Sequence, residues 1–150
     1  MAFHFALAPL LRLRHSLERQ RALALQAANL QVARGEERLA QLDRVLLQAA
    51  QSQAEGLASG CSAAELQFNL LQRETRQGQR LRLVADLRGL EQVRERVRHE
   101  YHQAYRDREV LEILQAGQRR QYLREQLRRQ QQDLDAAFLL QRWHRPDERG

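Results

Sequence analysis

The stretch EGLASGCSAAEL, residues 55–66, decides how this 150-residue chain folds. Gly56 and Gly60 can each close a helix, because glycine enters the left-handed conformation that ends one without a Cβ penalty. Ser62 followed three residues later by Glu65 is a capping box. The hydroxyl accepts from the N–H of Glu65 and the carboxylate accepts from the N–H of Ser62, so two orphan donors of a helix start are satisfied reciprocally. The stretch therefore predicts a chain reversal at about residues 58–62. A cap of this kind contributes about 1 kcal/mol, so it positions a boundary and leaves the fold to be held by something else.

On both sides of the reversal the apolar residues repeat at helical spacing. Upstream, Leu10, Leu13, Leu17, Ala24, Ala28, Val32, Leu39, Leu42, Leu46 and Ala49 recur at steps of three, four or their sum. Downstream, Leu83, Leu87, Leu90, Val97, Tyr101, Ala104 and Leu111 do the same. Strand formers are scarce, with Ile113 the single isoleucine. Only 43% of the chain is hydrophobic and 5% aromatic, and the mean hydropathy is -0.71, a profile of long helices with a thin core.

The expected fold is all-α: two long helices in an antiparallel coiled-coil hairpin, forming a single domain over residues 1–150. The first helix should run from about residue 8 to 57, the second from about 63 to 142, with a flexible tail at 144–150. A short connection makes the helices antiparallel, so facing residues should have numbers summing to about 120. That register sets Leu10 against Leu111, Leu17 against Ala104, Ala24 against Val97, and Leu30 or Val32 against Leu90. The longer second helix must overhang, because the N-terminus runs out opposite Gly117. The segment QRRQYLREQLRRQQQDLDAAFLLQRW, residues 118–143, then projects with Tyr122, Leu123, Leu127, Leu134, Phe138 and Leu139 or Leu140 available to a partner. Arg94 and Arg108 occupy core-like spacing, and Gly35, Gly78 and Gly89 lie inside helices. The favoured reading is that the arginines snorkel out and the glycines ease close approach; the sharper alternative is a rod softened for a partner.

The apolar opening, residues 3–13, fits neither a signal nor a span. Its charges, Arg12 and Arg14, follow the apolar run, where a secretory signal has them before it. Phe5 to Leu11 is far short of the roughly 20 residues a bilayer crossing needs. Pro9 suits a helix's first turn, and Phe3, Leu7, Leu10 and Leu17 share a stripe, so the run reads as the start of the first helix. A membrane-surface role is the weaker reading, since the stripe continues through Leu13 and Leu17.

The net charge of +6 comes from 25 basic residues, every one arginine. Each is a planar fork able to grip a carboxylate or phosphate at two points, so an acidic partner is expected. Cys61 is the single cysteine, which rules out an internal disulfide and, with no export signal, reads as cytosolic. Catalysis finds no support: there is no phosphate-binding glycine loop, no cysteine-based metal spacing and no nucleophile with a base. His99 and His102 share a helix face but lack a third ligand, and read as solvated. His4, His15 and His144 are scattered. The run Arg119, Arg120, Arg124, Arg128 and Arg129 can attract phosphates non-specifically, yet no nucleic-acid recognition signature accompanies it. A solvated or protein-binding face fits better.

The two ends of the chain resemble a known family. The string Phe3-x-Phe5-x-Leu7-x-x-Leu10-Leu11-x-Leu13-Arg14-x-x-x-Glu18 is similar to the opening signature of the flagellar export protein FliJ family. The later residues Tyr101, Ala104, Arg108, Leu111-Glu112, Leu114, Tyr122, Glu125 and QQQDLD ending in Leu134-Asp135 add to it. The resemblance spans nearly the whole chain. It departs in the absence of lysine and in Ala136, where an acidic residue is common. It implies a non-enzymatic stalk of the flagellar type III export apparatus, without cofactor or metal. That stalk would bind the hexameric export ATPase FliI and promote its ring, contact the export gate protein FlhA and handle export chaperones. It would sit in the cytoplasm, reaching the membrane's cytoplasmic face only through the apparatus. On this reading Leu10, Leu13, Arg14, Arg119, Arg120, Tyr122, Leu123 and Leu127 are the candidate ATPase contacts. Phe68, Leu71 and Thr75 are the candidate gate contacts, unless they are ordinary coiled-coil seam. The virulence-type injectisome stalk and a dimerising coiled-coil rod are the alternatives.

Overall fold

The protein, described here by a computed structural model over residues 2–144, contains two long helices packed against each other. Helix α1 is Ala8–Ser59 and helix α2 is Ala63–Trp143, of 52 and 81 residues. No strand occurs among the described residues. The expected flexible tail lies, apart from His144, outside them. Where α1 ends, Gly60 takes a positive φ of 88°, the left-handed conformation that turns the chain away from the helix axis. The Ser59 hydroxyl donates back to the Glu55 carbonyl at 3.0 Å. At the start of α2 the capping box is formed: the Ser62 N–H donates to Glu65 Oε2 at 2.9 Å and the Glu65 N–H to Ser62 Oγ at 3.2 Å. Cys61 stands exposed in the turn.

The contacts fall into two compact units. In the unit Leu17–Ala104 the helices run antiparallel around a narrow seam. Val32 is its most enclosed residue, 1% exposed. From Val32 the partly covered positions of α1 step through Gly35, Leu39, Leu42, Leu46, Ala49 and Gln53, and those of α2 through Arg80, Leu83, Leu87, Leu90, Arg94, Val97, Tyr101 and Ala104. Steps alternating between three and four keep a 3.5-residue repeat facing the partner, the condition for a left-handed coiled coil. A Cβ on Gly35 would lie 3.0 Å from Leu87 Cδ1 and 3.5 Å from Leu90 Cδ1, so glycine admits those leucines. Two ion pairs flank the seam: Arg21 Nη1 to Glu100 Oε2 at 2.6 Å and Arg80 Nε to Asp43 Oδ1 at 2.6 Å. Hydrogen bonding from Asp43, and then its charge, raise the Arg80 pKa above its ordinary value. Half-exposed pairs of this kind stabilise little.

In the other unit, the described residues of Met1–Ser16 lie against those of Tyr105–Gly150. Phe5 and Leu11, 4% and 8% exposed, form its core. Arg14 Nη1 meets Asp107 Oδ2 at 3.1 Å, and His15 Nε2 meets Glu112 Oε1 at 3.1 Å. Arg108 also reaches Glu112, with its guanidinium carbon 4.8 Å from the centre of the Tyr105 ring.

The alignment differs in detail from the sequence expectation. Arg14 with Asp107 and Arg21 with Glu100 have numbers adding to about 121, close to the expected sum. The inward residues at the start of α1 are shifted by one, however. Leu11 is buried, whereas Leu10 is exposed and Leu13 is 54% exposed. Ala24 and Leu30 likewise face outward, and Leu25 takes the seam position. The 3.5-residue repeat counted back from Val32 reaches 28, 25, 21, 18, 14 and 11, which explains the shift. The N-terminal segment also reaches further than expected. Residues 2–5 are not helical, and a turn closed by the Ala8 N–H donating to the Phe5 carbonyl at 3.1 Å precedes α1, so this part of the chain does not follow the rise per residue of a helix. The Phe3 ring therefore lies over Tyr122, with centroids 5.7 Å apart, instead of ending opposite Gly117.

Leu11→Ala should lower stability by about 2 kcal/mol, allowing for partial burial, while Leu13→Ala should change it by under about 0.5 kcal/mol; thermal melts followed by circular dichroism compare them. Gly89, with nothing within 4 Å of an added Cβ, should gain up to about 1 kcal/mol on Gly89→Ala. Gly35→Ala should gain clearly less, because Leu87 must move; equal gains would mean the helices do not approach closely at Gly35.

Candidate functional site

Among the described residues no three of His, Cys, Asp and Glu gather as metal ligands. His99 and His102 are exposed, the latter with its ring 5.6 Å from that of Tyr101. No described helix is long and apolar enough to cross a membrane. What remains is surface, and its apolar part is concentrated on α2.

Beyond Tyr122, α2 continues for about 30 Å at 1.5 Å per residue, and from Leu127 to His144 every residue is exposed. Leu123, Leu127, Leu134, Phe138, Leu139 and Leu140 are all at least half exposed, and Trp143 is 87% exposed. Helix formation here owes nothing to burial. It rests on good helix formers and on local pairs such as Gln131 Nε2 donating to Asp135 Oδ1 at 3.0 Å.

The eight candidate ATPase contacts all fall in the one unit. Leu10, Leu13, Arg119, Arg120, Leu123 and Leu127 are exposed, so the one-residue shift in alignment releases Leu10 and Leu13 from the seam to the surface. Arg120 Nε donates to the Ala116 carbonyl at 3.4 Å, leaving its fork along the helix surface. Arg14 and Tyr122 are half-buried, engaged by Asp107 and by Phe3. Beside them a depression of about 410 Å³ is lined by Phe3, Phe5, Pro9, Arg12 and Gln115.

In the unit Leu17–Ala104, Phe68, Leu71 and Thr75 are exposed and line one depression of about 360 Å³ with Gln72, Arg76 and Gln79. Thr75 turns its hydroxyl onto the Leu71 carbonyl at 3.0 Å, presenting its methyl outward. They are surface, not seam. A larger groove of about 700 Å³ adjoins them, where small and polar residues such as Ala49, Gln53, Asn69 and Gln72 leave the two helices loosely filled.

One feature escapes the sequence reading. Counting back from Leu134 in alternating steps of four and three gives Gln130, Leu127, Leu123, Arg120, Ala116 and Ile113, all exposed. Ile113 is 61% exposed although Leu111, two residues earlier, lies in the seam. At 100° per residue this stripe averages about a third of a turn around α2 from Tyr122. The signal was present as a heptad, but it is hidden while the search for exposed apolar residues at this end begins at residue 118.

The protein is an all-α helical hairpin with apolar side chains set on open helix faces between arginines. The chain belongs to the FliJ family: residues 3–148 match the family described as flagellar FliJ protein. It is thus a flagellar export-associated protein. No curated protein and no solved structure matches it.

Backbone amides of residues 126–143 should exchange with deuterium at least about tenfold faster than those of residues 105–122, because opening them breaks helix hydrogen bonds without uncovering packed side chains. Equal protection in the isolated protein, measured by mass spectrometry, would show that the projecting helix is covered.

Proposed function

We propose that this protein is a non-enzymatic stalk of the flagellar type III export apparatus, docking on the hexameric export ATPase FliI and promoting its ring. The observation that carries the reading is the length of α2 past Tyr122, helical, apolar and basic together, with no α1 beside it. A projecting helix of this kind suits insertion into a larger assembly, where leucines find cover and arginines find carboxylates. Leu10, Leu13, Arg14, Arg119, Arg120, Tyr122, Leu123 and Leu127 are its contacts in this proposal, with Arg14 and Tyr122 acting through their present partners. Membership of the FliJ family supports it.

The depression at Phe68, Leu71 and Thr75 is proposed as the contact with the export gate protein FlhA: an apolar patch rimmed by glutamine and arginine on one turn-proximal stretch of α2. Export chaperones are proposed as further partners. The protein would act in the cytoplasm, held at the membrane face by the apparatus.

Capture of the full chain by the cognate ring ATPase tests the proposal. Leu123→Asp or Leu127→Asp should abolish capture while far-ultraviolet circular dichroism retains the wild-type helicity. Undiminished capture would remove the projecting helix from the interface. Phe68→Asp should leave ATPase capture intact.

A further inference from the structure

We infer that the outer stripe of α2, from Ile113 to Gln141, is a coiled-coil seam for an acidic amphipathic helix of another protein. The inference deepens the proposed docking role of this end and rests on it only for location; the chemistry of the occupant comes from the stripe itself. Ile113, Arg120, Leu127, Leu134 and Gln141 occupy one core position of successive heptads, and Ala116, Leu123, Gln130 and Ala137 the other. The spacing of three and four holds without a break over four heptads, about 40 Å of helix. Every one of these positions is exposed, including those where α1 is still present on the other side of α2. A heptad kept this regular on an unoccupied face is the pattern by which one helix receives another.

Charge selects the occupant. In the first half of the stripe the flanking positions carry Arg119 and Arg124 beside Gly117 and Gln126, the acidic Glu112 at its start being held by His15 and Arg108, and Arg120 stands within the core row itself. A second parallel copy in register would set Arg120 against Arg120 and Arg119 against Arg124, which is repulsive. A helix with glutamates or aspartates at its flanks, and a carboxylate facing Arg120, converts the same positions into charge-assisted pairs. The second half is different: Leu134, Ala137, Phe138 and Leu140 form a nearly uncharged patch apart from Asp133. The partner helix is therefore acidic toward one end and apolar toward the other, which fixes its direction on α2 as well as its sign.

The test uses the full chain and two synthetic four-heptad peptides of identical leucine core, one flanked by glutamate and one by lysine, followed by fluorescence anisotropy. The glutamate-flanked peptide should bind at least about tenfold more tightly. Leu127→Asp and Leu134→Asp should each weaken it about tenfold or more, whereas Leu81→Asp, at an equally exposed leucine in the other unit, should leave it unchanged. Combined Arg120→Glu and Arg124→Glu substitution should reverse the preference toward the lysine-flanked peptide, and these exposed changes leave the seam intact. Equal binding of the two peptides, or of neither, overturns the inference. So does a wild-type dimer in sedimentation that Leu134→Asp dissociates, since the occupant is then a second copy. Peptide selectivity with undiminished ATPase capture by Leu127→Asp would sustain the inference and sink the ATPase reading; lost capture without peptide selectivity would do the reverse.

Discussion

Two helices alone can cover a side chain from one direction only, and that constraint governs this protein. Among the described residues just Phe5, Leu11 and Val32 are buried. The other seam residues are half wet, so each yields a fraction of the roughly 1.5 to 3 kcal/mol available to a fully buried leucine. Stability must accumulate along the seam. It also follows that apolar residues off the seam have no interior to enter. On α2 they include Leu81, Val110, Ile113, Leu127 and Phe138, each more than 60% exposed, and the helix is kept in solution by the arginines and glutamines around them.

A thin seam carries little information about alignment, because leucines and alanines repeated every three or four residues match almost as well after a slip of one heptad. Ion pairs share this repetition. Arg14 with Asp107, Arg21 with Glu100, and Arg80 with Asp43 have numbers adding to 121–123, yet a slip of one heptad would set Arg14 against Glu100, Arg80 against Glu36 and Arg73 against Asp43, and each pair alone is weak. Arginine also occupies core-like positions. Arg108 is tolerated in the seam because its stem covers apolar surface while its planar end lies against Tyr105 and Glu112. A lysine ammonium offers neither the flat stacking face nor the fork.

What the sequence made readable was whatever depended on local chemistry. The capping box at Ser62 and Glu65 and the left-handed Gly60 are decided by a few adjacent residues, and both are formed in the structure. The alignment of α1 near its start was harder, for a specific reason. Leu7, Leu10, Leu11, Leu13 and Leu17 place leucine on both sides of the helix, so periodicity alone offers two stripes, and only continuity with Val32 selects Leu11. The reach of Phe3 to Tyr122 was invisible because it depends on the non-helical course of the residues before α1. Of the candidate contacts, Leu123 and Leu127 were readable as soon as the two helices were seen to differ in length. The exposure of Leu10 and Leu13 followed only from the alignment, and Phe68 and Leu71 could be assigned to surface in place of seam only when the positions of Arg76 and Arg80 were known.

The apolar content of α2 changes face along its length. Up to Leu111 the seam row is leucine, valine, tyrosine and alanine with an occasional arginine; beyond it the same row reads Gln115, Gln118, Tyr122, Glu125, Arg129 and Gln132. Over the same residues the outer row gains Ile113, Leu123, Leu127 and Leu134. A helix that merely ended in solvent would lose apolar residues from one row without acquiring them in another, since exposed leucines bring no stability to an isolated helix beyond their propensity. The handover starts before α1 runs out, while Phe5 and Leu11 still bury against this unit, and the tyrosine retained at 122 is the one that Phe3 covers. The inner row is thus apolar along most of the length that α1 covers. The outer row is apolar where α1 cannot, and a shift in the face of a heptad, with its period kept, describes a helix that leaves one coiled-coil partner to take another.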